Sequence, residues 1–125
     1  MDTGRADMIQ AVFEGVAFAM RDSLEVARSQ GIDIKRTKIC GGGAKSPLWC
    51  KIMANVLNLQ VDLLEVEEGP ALGGAMLASV EEAADAIVRV ADTISPEPAL
   101  VEAYEKRYAT FRQIYPALKE IFPQV

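Results

Sequence analysis

The sequence has 125 residues, half of them apolar and a quarter charged, which is the composition of one folded domain rather than of a disordered chain. Its 13 basic and 18 acidic side chains give a net charge of −5. That balance argues against nucleic-acid binding, which depends on neutralising phosphates with Lys and Arg. Because the sequence has no histidine, this chain alone cannot assemble a Ser-His-Asp or Cys-His nucleophilic system.

Targeting and redox features predict a cytoplasmic protein. No apolar run approaches the roughly 18 residues that a membrane span requires, and the first residues lack the order of a signal peptide. Cys40 and Cys50 have no second cysteine pair and no histidine to accompany them. We therefore expect neither a disulfide scaffold nor a zinc site, and we expect both cysteines to be small buried side chains.

The first predicted element is a long helix from Asp7 to Ser29. Its apolar residues recur at intervals of three and four, as they do on one face of a helix, and Gly31 supplies a stop signal. We expect Glu14 on this helix to be paired or exposed to solvent rather than catalytic. The apolar positions are Ile9, Val12, Phe13, Val16, Met20, Leu24 and Ala27.

A strand–loop–helix–strand unit is predicted next. Thr37–Cys40 is expected to be a strand that leads into three consecutive glycines. Ser46 as N-cap and Pro47 at the first helical position predict a helix that continues to Leu57. A second strand is predicted over Leu59–Glu65. The two strands of such a βαβ unit are parallel.

The remaining sequence predicts further helices. One is expected over Pro70–Ala78, and a capping box at Ser79 starts another directly after it. Either the two fuse into one helix, or a connecting loop is missing between Ala78 and Ser79. Asp92–Pro98 is predicted to be a turn-rich linker. The last helix is predicted over Ala99–Phe122, with Pro116 kinking or splitting it. Its aromatic residues, expected to pack against the domain, are Tyr104, Tyr108, Phe111 and Tyr115.

The glycine loop between the first strand and its helix is the candidate functional site. Glycines at a strand end let backbone N–H groups approach an anion, and the following helix adds unpaired N–H groups and the positive end of its dipole. The loop therefore favours a phosphate or a nucleotide, and a tight structural turn is the alternative. We expect Trp49, one turn into the helix, to belong to the core rather than to stack on a base.

Two standard phosphate loops can be compared with this segment. The P-loop requires glycine where Ala44 stands, so that match fails. The dinucleotide fingerprint matches only in part, because Ser46 occupies the position of its third glycine. In a dinucleotide fold, Glu65 or Asp62 would imitate the acid that binds the ribose.

Several ordered motifs resemble the FGGY family of carbohydrate kinases, and within it the xylulose kinases most. The glycine loop reads GGGAKSPLW, and EEGPALGGAMLA follows it. The first helix resembles that family's long helix before the nucleotide loop, and the last helix resembles its final helix. The resemblance covers essentially the whole chain. The matching segments are Gln10–Glu25, Gly41–Trp49, Glu67–Ala78 and Tyr104–Phe122.

The resemblance implies an α/β fold, the C-terminal part of a ribonuclease H-like (actin-like ATPase) domain with short parallel strands and several helices. It implies transfer of the γ-phosphoryl group of MgATP to a sugar hydroxyl, with D-xylulose converted to D-xylulose 5-phosphate and with ATP and Mg²⁺ as cofactors. In that family the glycine loop lies against the α-phosphate and the adenosine. The residues that inherit this role are Gly42, Gly43 and Ala44, with Gly41, Lys45, Ser46 and Pro47 as their neighbours.

The same resemblance implies that residues 1–125 are a single domain fragment. The family's N-terminal domain, with its catalytic aspartate and most sugar contacts, lies outside them, so no catalytic residue and no metal ligand is assigned here. The expected partners are the sugar and further copies of this chain, without nucleic acid or membrane. The alternatives are a dinucleotide-binding unit of an oxidoreductase and a non-catalytic, kinase-like interaction module.

Overall fold

The computed structural model describes residues 3–65 and 89–124. The helix predicted over Pro70–Ala78, the capping box at Ser79 and the loop expected to be missing between them lie outside the described residues. The elements in chain order are α1 (Arg5–Ser29), β1 (Arg36–Ile39), a 3-10 turn (Gly42–Lys45), α2 (Pro47–Leu57), β2 (Gln60–Leu64), β3 (Val90–Ile94), α3 (Pro98–Leu118) and a second 3-10 turn (Phe122–Gln124).

The predicted βαβ unit is confirmed. Strands β1 and β2 pair in parallel, with Arg36 opposite Gln60 and Ile39 opposite Leu63, and α2 connects them. Since the two strands run in the same direction, both end at the same edge of the sheet. The glycine loop follows β1 directly and therefore begins at that edge.

A third strand, β3, adds to the other side of β2 in the antiparallel direction. The prediction of a linker over Asp92–Pro98 is therefore wrong in its first half, because Asp92, Thr93 and Ile94 belong to this strand. The Thr93 hydroxyl donates a hydrogen bond of 2.7 Å to Asp62 on β2. This contact forms only in the folded chain, and a polar segment beside two prolines gives no local sign of it.

Helix α2 is confirmed with the start and end that were predicted, and it forms the centre of the core. It packs against α1, α3, β2 and β3, and a continuous run of its residues from Ile52 to Leu57 is buried. Helix α1 contributes Ala17 and Phe18 to the same core. The Phe18 ring lies 5.3–6.2 Å from three rings of α3, measured between centroids; these rings belong to Tyr104, Tyr108 and Phe111.

The aromatic residues of α3 pack as predicted with one exception. Tyr104 and Tyr108 are buried, and Phe111 packs on the core. Tyr115 is 63% exposed and stacks on Phe122, so its predicted place in the packing was wrong. Pro116 does not split the helix, because α3 continues through it and ends at Leu118.

Charged side chains of α1 form hydrogen bonds and ion pairs with the other two helices. Arg21 is buried; its guanidinium donates to the Val56 carbonyl at 3.1 Å and to Glu105 at 2.6 Å. It also lies 4.3 Å from the centroid of the Tyr108 ring. Glu14 pairs with Arg107 at 2.8 Å, in agreement with the expectation that it is paired or exposed to solvent.

The side of α1 that faces away from the core is not covered by the described residues. Four apolar side chains spaced four residues apart are about half exposed or more, and they form the stripe Met8, Val12, Val16 and Met20. Strand β1 lies at one end of the sheet order, so its outer side has no strand partner within residues 3–65 and 89–124. No helix of these residues is long and apolar enough to cross a membrane.

Candidate functional site

The glycine loop leaves β1 through a backbone conformation that only glycine adopts easily. Gly41 has φ of 78°, in the left-handed region where a Cβ atom is strained. The chain then forms a 3-10 turn over Gly42–Lys45, and Ser46 begins α2. The Ser46 side chain accepts a hydrogen bond from the Trp49 N–H at 3.3 Å, and Pro47 follows at the first helical position. Both predicted start signals of α2 are thus confirmed.

The structural constraints that explain glycine differ among the three glycines of the loop. Gly41 is explained by its positive φ. At Gly43, a Cβ atom would lie 3.0 Å from the indole of Trp49, so packing explains it. At Gly42, a Cβ atom would meet nothing within 4 Å, and its φ is not left-handed. No contact or backbone angle of the described residues requires glycine at this position.

The hydrogen bonds of the turn leave part of its backbone unpaired. The Ala44 N–H donates to the Gly41 carbonyl at 3.0 Å, and the Ser46 N–H donates to the Gly43 carbonyl at 3.1 Å. The N–H groups of Gly42 and Gly43 come first in the turn and have no partner inside it. Since both residues are exposed, the turn offers backbone donors next to the positive end of α2, the combination that suits an anion.

The thiol of Cys50 supports the loop from the core side. Cys50 is fully buried, and its Sγ lies 3.7 Å from the Gly43 carbonyl oxygen and 3.6 Å from that of Ala44. Burial raises the pKa of the Cys50 thiol, so it stays protonated at neutral pH. The prediction of a buried side chain is confirmed for Cys50 and wrong for Cys40, which is exposed at the end of an edge strand.

An apolar groove runs between α1 and the loop. It has a volume of about 440 Å³, and Trp49 is half-buried in its wall, with its ring centroid 5.6 Å from that of Phe13. Trp49 packs against the core as predicted and lines this groove as well. Nothing in the sequence indicates that α1 takes part, because Val12, Phe13 and Val16 fit the apolar pattern of an ordinary packed helix face. The lining residues are Val12, Phe13, Val16, Gly42, Gly43, Ser46 and Trp49.

Of the two acids considered as ribose ligands, Asp62 is not in a position that supports that role. Asp62 is buried and accepts two hydrogen bonds from Arg36, at 2.7 and 3.2 Å, besides the one from Thr93. These bonds, the ones from Arg36 first, lower the pKa of the Asp62 carboxyl. The ion pair thus occupies the carboxylate. Glu65 is exposed, and its backbone N–H donates to the Arg89 carbonyl at 3.0 Å.

The described residues offer no metal site of their own. No group of three or more cysteine, aspartate or glutamate side chains within residues 3–65 and 89–124 is arranged to hold an ion. The chemistry available at the loop is therefore that of backbone donors, a helix N-terminus and an apolar wall. Such an arrangement suits an anionic ligand.

Known proteins are similar to this chain in sequence and in architecture. The family model described as the FGGY family of carbohydrate kinases, C-terminal domain, matches residues 1–82. The xylulose kinase of Bacillus subtilis is 33% identical over 125 residues, covering 94% of this chain and 25% of that protein. The xylulose kinase of Staphylococcus epidermidis is 31% identical, with the same coverage. The chain thus spans about a quarter of the length of these curated relatives.

Solved structures agree with the sequence relatives. The crystal structure of xylulose kinase from Rhodospirillum rubrum superposes with a TM-score of 0.84 at 31% identity, covering 98% of this chain and 26% of that one. A xylulose kinase from Brucella ovis gives 0.80 at 36% identity, covering 96% and 26%. This likeness confirms the predicted fold class, the C-terminal part of a ribonuclease H-like, actin-like ATPase domain. The chain therefore belongs to the FGGY family of carbohydrate kinases and carries sequence of its C-terminal domain.

Proposed function

We propose that this chain supplies the nucleotide-binding loop of an ATP-dependent sugar kinase that converts D-xylulose to D-xylulose 5-phosphate. Family membership supports the phosphotransfer, and the names of the relatives from B. subtilis and S. epidermidis support the sugar. The dinucleotide alternative is weaker because Asp62 is held in an ion pair with Arg36.

The observation that carries the proposal is the glycine at position 42. Its Cβ would meet no atom of the described chain within 4 Å, and its backbone angle suits any residue. A close ligand explains why a side chain is absent there, because only glycine lets the backbone approach a phosphate directly. Gly42 also lines the apolar groove, so one residue borders both a donor-rich turn and an apolar wall.

The roles within the loop follow from this arrangement. The N–H groups of Gly42 and Gly43, together with the N-terminus of α2, bind the phosphate nearest the nucleoside. The groove beside them takes the apolar face of the base. Gly41 sets the exit angle from β1 and Ser46 fixes the start of α2, while the other loop residues proposed to border the nucleotide are Ala44, Lys45 and Pro47.

The remaining catalytic parts are proposed to lie in another domain of the enzyme. Mg²⁺ bound to the nucleotide neutralises phosphate charge during phosphoryl transfer, and its ligands are the phosphates and residues beyond those described here. That other domain also supplies the base that deprotonates the sugar hydroxyl, together with most of the contacts to the sugar. We propose that residues 1–125 form a single domain fragment and that, alone, they bind nucleotide without phosphorylating a sugar.

The test is an NMR titration of the ¹⁵N-labelled chain with ADP, which detects even millimolar binding at individual amides. The amide signals of Gly42 and Gly43 and the indole N–H of Trp49, the single tryptophan of the sequence, should shift. Gly42→Val should weaken binding about tenfold or more, because a side chain then occupies the approach to the backbone, while the thermal unfolding midpoint stays unchanged.

Gly15→Ala is the matched control, because a Cβ atom at Gly15 of α1 also meets nothing within 4 Å. This variant should bind ADP like the unchanged chain and gain stability of about 1 kcal/mol from helix propensity. Unchanged ADP binding by Gly42→Val would leave the loop as a structural turn. Loop shifts with NAD but not ADP would favour the dinucleotide alternative, and no shift with either would favour a non-catalytic interaction module.

A further inference from the structure

We infer that Cys50 is a positioning residue of the glycine loop, its thiol holding the Gly43 and Ala44 carbonyl groups so that the loop keeps one conformation for its ligand. The inference deepens the proposed function and, as far as the ligand is concerned, rests on it. Cys50 does not reach the ligand site itself, since it is fully buried behind the loop.

The geometry places one donor beneath two consecutive carbonyl groups. Sγ of Cys50 lies 3.7 Å from the Gly43 oxygen and 3.6 Å from the Ala44 oxygen, within the range of hydrogen bonds to sulfur. The Gly43 oxygen also accepts the Ser46 N–H. The thiol has one proton, and the two nearly equal distances fit a bifurcated hydrogen bond in which both carbonyl oxygens share it.

Two held carbonyl groups restrict the backbone where glycine leaves it free. A peptide unit is planar, so fixing the Gly43 carbonyl also fixes the N–H of Ala44, and fixing the Ala44 carbonyl fixes the N–H of Lys45. The rotation between these two planes is then restricted. On its other side, Gly43 packs against the Trp49 indole. Cys50 and Trp49 together compensate for the conformational freedom that a run of three glycines introduces.

The anchor itself is rigid. The Cys50 backbone N–H donates to the Ser46 carbonyl at 3.0 Å, within the first turn of α2. That helix continues into the buried core run Ile52–Leu57. The core therefore holds the thiol in place, and the thiol in turn holds the loop at a fixed position relative to α2.

The experiment compares three substitutions that separate hydrogen bonding from packing. Cys50→Ser keeps a donor of similar size, Cys50→Val fills the space without a donor, and Cys50→Ala removes both. If the thiol acts as a donor, Ser should behave like the unchanged chain, while Val and Ala should weaken ADP binding by about three- to tenfold, the effect of one lost hydrogen bond. A packing role predicts the reverse order, with Val tolerated and Ser impaired.

A second measurement needs no ligand. The ¹⁵N order parameters of Gly43, Ala44 and Lys45 should fall in the Val and Ala variants and stay high in Ser, because the loop gains motion when its donor is lost. Unchanged order parameters in Val and Ala would overturn the inference. If the loop amides respond as expected to these substitutions but no variant and no unchanged chain binds ADP, the positioning role stands and the proposed function fails. Should Val not fold, the comparison of Ala with Ser decides.

Discussion

Replacing Arg21 with methionine should cost this chain much of its stability, because one buried guanidinium caps the last turn of α2 and pairs with Glu105 of α3. The Val56 carbonyl lies in the last turn of α2, where carbonyl groups lack partners within the helix, and Arg21 donates to it at 3.1 Å. Losing that charged donor costs about 1.5–3 kcal/mol. Removing the cation above the Tyr108 ring costs about 1 kcal/mol more.

The remaining contacts of Arg21, with Glu25 at 3.5 Å and with Glu105 at 2.6 Å, contribute less. Glu105 is 46% exposed, so it returns to water when its partner is removed, and its share is below about 1 kcal/mol. Methionine retains much of the apolar stem. The sum is a loss of about 2.5–5 kcal/mol in the free energy of unfolding, measured by urea titration followed by circular dichroism with the m-value unchanged.

Arg112→Met is the matched control for this measurement. The Arg112 guanidinium also lies near the Tyr108 ring, at 6.0 Å, and near Asp22, at 3.6 Å, but its side chain is 64% exposed. Its replacement should cost less than about 1 kcal/mol. If the two variants lose equal stability, burial and helix capping by Arg21 do not contribute as argued.

Two further measurements test the sheet and the exposed surface. Asp62→Asn should flatten the acid dependence of stability. Because the pKa of Asp62 is lowered in the folded chain, the unchanged chain should lose stability as pH falls below about 4 towards that folded-state pKa. Arg36→Gln should flatten this dependence too, and an unaltered slope in both variants would contradict the role of this ion pair. The exposed apolar stripe of α1 and the side of β1 that has no strand partner within residues 3–65 and 89–124 should make the chain self-associate at micromolar concentration. Sedimentation equilibrium should show dimers or larger species that Met8→Glu combined with Met20→Glu weakens, whereas a monomer at all concentrations would refute this proposal.

Local signals were sufficient to predict the part of the fold that presents the candidate site. Ser46 and Pro47 mark the start of α2 through contacts made within one helical turn, and the structure has both. Strands β1 and β2 were predicted within one or two residues of their ends, because apolar and β-branched residues stand between clear breaks. Whether the glycine loop binds a nucleotide stays a prediction.

The features that sequence reasoning missed depend on distant partners. Strand β3 contains Asp92 and Thr93 and precedes two prolines, so it has the composition of a linker until β2 pairs with it. Arg21 has the sequence character of a solvent-exposed charge, and only the meeting of α1 with α2 and α3 buries it. The support of the loop by Cys50 likewise requires the loop to fold back over α2, which spacing alone does not reveal.

Because α2 is buried, the glycine loop should lose its structure only when the core around α2 opens. Because α2 packs on α1, α3, β2 and β3, its amides should exchange with solvent only through global opening of the structure. The glycine loop is joined to the first turn of this helix, so it cannot be released at its helix end without fraying a segment bound to the core. A ligand of this loop would meet a backbone that folding has already ordered, and little conformational entropy would be left to lose on binding.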